Sequence, residues 1–220
     1  MIDLQDYIYY NIDNPLIFNS GLFLFLFFGF ISVFILLRKQ RIARVIWTIL
    51  FSLFFYYKSS GFYFWILIVS TVLDYTLGIY IYNSQKTKKV IYLIISLVSN
   101  LGILVYFKYT NFVIDIVNGF GKSYESLDIF LPVGISFYTF QTLSYSIDVY
   151  RGKLLPEKNI LNFAFFVTFF PQLVAGPIVR ASEFLPQIRS KLKLSNRNLS
   201  KAVFLIGSGL FKKAIIFCVV

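Results

Sequence analysis

Residues Leu16–Leu37 read LIFNSGLFLFLFFGFISVFILL, and Arg38, Lys39, Arg41 and Arg44 follow at once. A bilayer core about 30 Å thick takes roughly 20 apolar residues in helical form, and this run supplies them before a basic stop. The pattern recurs along the chain. Ile42–Tyr57 is a second apolar stretch, short for a span. Gly61–Tyr82 is a third, followed by Lys86, Lys88 and Lys89, and Val90–Phe107 is a fourth, followed by Lys108. A polar loop over 108–128 holds a short apolar piece, Phe112–Val117, and a Gly119–Gly121 turn. Ile129–Val149 is a fifth span. Ile160–Val179 is a sixth stretch, interrupted by Pro171, Gly176 and Pro177. After a polar, basic segment at 180–201, a seventh apolar run starts near Ala202 and continues to Val220.

Composition agrees with a membrane solvent. The 220 residues are 58% hydrophobic and 14% charged, where a soluble domain carries about 25% charged residues. A soluble core of this length cannot hide that much apolar side chain. The single cysteine, Cys218, excludes an internal disulfide and a thiol-metal cluster. The chain contains 0 histidines, which excludes histidine metal sites and Ser-His or Cys-His pairs within it. Residues 1–15 carry Asp3, Asp6 and Asp13 and no basic residue, the reverse of a signal peptide.

The net charge of +11 points to loop topology and not to nucleic acid. Positive charge gathers at 38–44, 83–89, 150–159 and 180–201, so these loops are expected in the cytoplasm with the N-terminus outside. One membrane domain, residues 1–220, is expected. Loops 150–159 and 180–201 then fall on the same side with one apolar stretch between them. A prolines-broken, re-entrant hairpin with its tip near Pro171–Pro177 resolves the conflict, because irregular backbone at membrane depth survives only inside protein or a cavity. The expected fold is all-α: a polytopic transmembrane helical bundle with a re-entrant hairpin.

Few side chains in the spans are polar enough to carry chemistry. Asp74 and Asp148 lie in or at the end of spans, where a carboxylate costs roughly 2.5–3.5 kcal/mol. Asp74 reads as packed on a polar partner. Asp148 reads either as an interfacial residue paired with Arg151 or as part of a polar funnel. On a helical wheel the fifth span shows two polar stripes, Ser136–Thr139–Thr142–Ser146 and Gln141–Ser144–Asp148, with Tyr138, Tyr145 and Val149 between. Such a helix is buried among others or lines a cavity. Gln141 and Ser144 are the expected donors to carbonyls of Val167 and Leu173 freed by the prolines.

Two blocks are more specific. LPVGISFYTFQTLSYSIDVYRG (Leu131–Gly152) and FFPQLVAGPIVRASEFLPQI (Phe169–Ile188) resemble the membrane-bound O-acyltransferase family, in its alginate O-acetyltransferase-like branch. The segment STVLDYTLGIYI around Asp74 is similar to the same branch. The resemblance implies helices around a funnel. Through it an acyl, here acetyl, group passes from a cytoplasmic donor to a hydroxyl of an extracytoplasmic polysaccharide or cell-wall polymer. It implies a bacterial cytoplasmic membrane, acetyl-CoA or an acyl-carrier thioester as the donor substrate, and no resident cofactor or metal. The expected partners are a cytoplasmic carrier protein, an extracytoplasmic acetyltransferase and a glycan acceptor. The family's catalytic histidine is expected downstream, so the chain reads as the N-terminal half, with a truncated, inactive paralogue as the alternative. Carried onto matching positions, the funnel residues are Ser136, Phe137, Tyr138, Gln141, Tyr145 and Asp148, with Gln172, Gly176, Pro177 and Arg180 from the hairpin. Gln141 and Gln172 would donate to an acyl carbonyl, Gly176 would allow close backbone approach, and Arg180 would meet an anionic donor carrier. Two other readings compete: a transporter or channel, from the broken helix and intramembrane acids, and a non-catalytic scaffold for partner acetyltransferases.

The charge pattern makes a direct prediction. In a Cys218→Ser background, single cysteines within 38–44, 83–89 and 180–201 should resist an impermeant maleimide in intact cells and react after lysis. Strong labelling of 83–89 from outside contradicts the orientation.

Overall fold

The computed structural model describes residues 16, 20–121, 123–176, 179–190 and 195–212, without the side chains of residues 174, 175, 196 and 210. Pro177, Cys218, the N-terminal acids and Lys191 and Lys193 lie outside that set. The described residues form nine α-helices and no strand: α1 Gly21–Leu36, α2 Arg41–Ser60, α3 Phe64–Asn83, α4 Lys86–Gly119, α5 Ile135–Tyr150, α6 Ile160–Thr168, α7 Phe170–Ala175, α8 Ala181–Arg189 and α9 Asn196–Phe211. Among the described residues three stretches are long and apolar enough to cross a membrane, Gly21–Lys39, Arg41–Asn83 and Lys86–Gly119. The protein is an all-α, polytopic membrane protein.

Arg41–Asn83 is folded back on itself at Gly61, whose φ of +61° suits glycine. Arg41 at its start bonds Asn162 at 3.2 Å, and Tyr75 near its finish bonds the Lys158 carbonyl at 2.7 Å. Between them, Ser60 at the turn accepts the Val133 amide at 3.0 Å. The second apolar stretch is therefore a 20-residue helix, longer than its apolar core suggests, because it buries Lys58, Ser59 and Ser60. Lys108 does not end the fourth span either. It lies inside the 34-residue α4, which at 1.5 Å per residue is about 51 Å long and takes in Phe112–Val117. Asn111 and Asn118 pair with Leu127 and Tyr124 and fold the following segment back along the last turns of α4. The fifth helix starts at Ile135 and not at Ile129, because Gly134 adopts φ +76°.

The basic loops meet at one end of the bundle. There Lys89 Nζ sits 5.1 Å from the Tyr150 ring, and Glu157 pairs with Arg189. The path between Glu157 and Arg189 is the sixth apolar stretch. It breaks at Phe169 (φ −56°, ψ 107°), two residues before Pro171, so the proline sits in the first turn of α7, where a missing N–H is tolerated. α6 and α7 run antiparallel to α5. Tyr145 and Phe163 rings lie 4.7 Å apart, and Leu173 reaches Gly134. α8 then packs Phe184 on Phe165, Phe166 and Phe169, 5.5–5.9 Å between centroids. Its last residue is Arg189, so the path leaves from and returns to the basic end.

Phe170 pins the break. Its ring makes edge contacts with Phe51 at 5.1 Å and Phe30 at 5.5 Å, and its amide donates to Ser52 Oγ at 3.3 Å. An aromatic edge contact adds about 0.5–1.5 kcal/mol to the burial itself. The close approach at Gly134 gives a stability prediction. A Cβ there would collide with the Leu173 backbone carbonyl at a positive φ. Gly134→Ala should cost about 2–4 kcal/mol by thermal unfolding in detergent. Gly102→Ala, in open space within α4, should gain up to about 1 kcal/mol. Equal effects would contradict the contact between α5 and α7.

Candidate functional site

The site begins with a buried polar cluster among α3, α4 and α5. Asp74 on α3 is 0% exposed. Ser96 Oγ donates to its Oδ1 at 2.8 Å, and Asn100 Nδ2 donates to Oδ1 and Oδ2 at 2.8 and 2.9 Å. Thr142 on α5 donates to Asn100 Oδ1 at 3.0 Å, and Ser146 Oγ lies 3.0 Å from Ser96 Oγ. Asp74 is thus packed on polar partners, as its place in an apolar span suggests. Each oxygen has a donor, which a buried carboxylate requires. Ser96 and Asn100 are one helical turn apart inside Val90–Phe107, a polar pair that a wheel of the fourth span would have shown.

The two stripes of α5 face different neighbours. Thr142 and Ser146 complete the Asp74 cluster. Gln141, 3% exposed, turns to α6 and α7, where its Nε2 donates to the Phe166 carbonyl at 2.8 Å and lies 3.4 Å from Gln172 Oε1. The expected acceptor, Val167, is one residue off. Ser144 does not serve the broken segment and bonds the Gln141 carbonyl in its own helix at 2.8 Å. Tyr145 is a brace: it is fully buried, its hydroxyl accepts the Glu157 amide at 3.1 Å, and Gly78 leaves room for its ring. A Cβ on Gly78 would sit 2.7 Å from Tyr145 Cε1.

The expected funnel residues therefore separate. Tyr138, Gln141 and Tyr145 are buried between helices, whereas Ser136, Phe137 and Asp148 lie on a more open face with Phe140 and Ser144. Asp148 makes no ion pair with Arg151 among the described residues. Its backbone carbonyl instead takes the Lys153 amide at 2.9 Å. Gln172 is half-buried beside Gln141, and Arg180 is exposed at the start of α8. Gly176 follows α7, and a Cβ there would press on the Gln172 backbone, so the glycine closes a tight turn. Tyr56 on α2 and Tyr138 on α5 are fully buried. The two tyrosine hydroxyls make no well-formed hydrogen bond among the described residues. This leaves buried donors with spare capacity.

No family model and no solved structure matches the chain. Curated relatives do. A peptidoglycan O-acetyltransferase of Helicobacter pylori is 35% identical over 91% of this chain and 44% of its own length. A probable alginate O-acetylase, AlgI, of Pseudomonas aeruginosa is 35% identical over 80% of this chain and 35% of its own. The corresponding Pseudomonas syringae protein is 33% identical over the same share of this chain. The chain thus spans less than half the length of these relatives. With its two motif blocks on α5 and on the α6–α8 segment packed against one another, and with similarity to these proteins over most of its length, the chain belongs to the membrane-bound O-acyltransferase family, in the branch of the alginate and peptidoglycan O-acetylating proteins.

Proposed function

We propose that this chain forms part of an enzyme that moves an acetyl group from a cytoplasmic thioester to a hydroxyl of an extracytoplasmic polysaccharide or cell-wall polymer. The observation that carries the reading is the wall built by α5 and α6–α7, where Gln141 and Gln172 meet beside a break in the helix. The names of the curated relatives support the same reaction. In this reading residues 160–179 enter and leave the bilayer on the cytoplasmic side, the N-terminus lies outside, and the membrane is the bacterial inner membrane. Support comes from the meeting of Glu157 and Arg189 at the basic end.

The transfer forms a C–O bond and breaks a C–S bond. The hydroxyl oxygen attacks the thioester carbonyl, a base takes its proton, and the thiolate leaves and is reprotonated. Charge develops on the carbonyl oxygen, so donors aimed at it are what the wall must supply. Gln141 is committed to the Phe166 carbonyl, which leaves Gln172 to supply the amide N–H and Gln141 to hold it in place. The donor, acetyl-CoA or an acyl-carrier thioester, would approach from the basic end past Arg180. The base is the histidine that the resemblance places outside these residues. The attacking hydroxyl belongs to the glycan itself or to a partner acetyltransferase that completes the delivery. The transporter reading lacks a comparable observation, since the one deep acid, Asp74, is enclosed by Ser96, Asn100 and Thr142 and lines no path.

In the full-length protein, Gln172→Ala should lower kcat about 10²-fold with the protein still folded, the scale of losing one oxyanion donor. Gly176→Val should abolish transfer, whereas Gly119→Val, in open space, should be mild. The 220-residue chain alone should restore no acetyl ester to the glycan of cells lacking the full-length protein, because a hydroxyl nucleophile needs a positioned base. Wild-type kcat in Gln172→Ala removes the role given to the wall.

A further inference from the structure

At the basic end a slot of about 250 Å³ opens between α1, α2, α6 and α8. Phe34, Val45, Phe165, Phe169 and Phe184 line it, and Arg44 enters it from α2. Arg44 is only 8% exposed. Its guanidinium stacks 5.5 Å from the centre of the Phe34 ring and has no hydrogen bond or carboxylate partner among the described residues. The nearest charge in the same helix is another cation, Arg41, whose side chain is turned to Asn162. The acid at this end, Glu157, is taken by Arg189.

A covered guanidinium with five N–H donors and no anion is costly. A cation–π contact offsets only part of that cost. The missing partner is an anion that also brings apolar surface, because the rest of the slot is aromatic. The slot lies where spanning helices finish and basic loops begin, at the depth of lipid headgroups. We infer that this slot binds an anionic phospholipid, its phosphate on Arg44 and an acyl chain against Phe34, Phe165, Phe169 and Phe184. Arginine suits this role because its planar fork matches two phosphate oxygens at once. The inference is independent of the acyl-transfer reading.

The test is native mass spectrometry of the intact, delipidated protein offered equal phosphatidylglycerol and phosphatidylcholine, with thermal unfolding as a second readout. Wild type should retain phosphatidylglycerol preferentially and gain stability from it. Arg44→Gln should lower that occupancy about tenfold, the scale of a lost charged hydrogen bond, and Arg44→Lys should fall between. Gln187→Glu keeps the proposal testable if Arg44→Gln does not fold. Gln187 lines the same slot and is exposed, so a carboxylate there should neutralise Arg44 from within. It should abolish the phosphatidylglycerol preference and raise the melting temperature of the lipid-free protein. Equal retention of both lipids, or an unchanged preference in both variants, would overturn the proposal. So would displacement of phosphatidylglycerol by coenzyme A or inorganic phosphate, which would make the slot a site for a soluble phosphate.

Discussion

A carboxylate with no exposure to solvent sits at the junction of three helices, and the architecture follows from satisfying it. Asp74 on α3 takes three hydrogen bonds from Ser96 and Asn100 on α4, and Thr142 on α5 orients Asn100 from the other side. In a medium without water each of those groups needs a partner, and the alternative costs several kcal/mol. Sliding any one helix by a turn would leave a carboxylate, an amide or a hydroxyl unpaired. The cluster therefore fixes the register of α5, and with it the rotation that turns Gln141 toward α6.

The broken segment depends on that rotation. Its helix stops at Phe169, and the groups released there find partners in other helices: Ser52 takes the Phe170 amide, and Gln141 caps the Phe166 carbonyl. Phe170 fills the aromatic pocket between α1 and α2, and Gly134 admits the Leu173 carbonyl. Protein surrounds this irregular backbone, which satisfies the groups the break releases. The same enclosure brings Gln172, a half-buried amide, to the place where the proposed reaction needs a donor.

Much of this was legible in the sequence, for physical reasons. Apolar length and basic stops located the helices, since bilayer thickness sets the one and membrane topology the other. The two polar stripes of α5 marked a helix buried among others: Thr142 and Ser146 meet α4 and Gln141 meets α6 and α7, whereas Ser144 bonds within its own helix. Boundaries were less legible. Lys108 reads as a terminator, yet a long amphipathic side chain can lie along a helix without ending it, and α4 runs through it. Partners across helices were not legible at all. Asn100 and Ser96 are unremarkable until Asp74 faces them. The family resemblance named funnel residues as one group, but side-chain direction divides them: Tyr138, Gln141 and Tyr145 are turned inward, and Ser136, Phe137 and Asp148 face the open side.

The Asp74 cluster can be tested by itself, with a double-mutant cycle on unfolding free energy in detergent. Asp74→Ala and Asn100→Ala should each be strongly destabilising, because each strands a buried partner. The double variant should lose less than their sum by at least about 1.5 kcal/mol, since neither Asp74 nor Asn100 is then left facing the gap of the other. Additivity within about 0.5 kcal/mol, the behaviour of independent sites, would show that the two side chains do not hold α3 and α4 together and would contradict the account.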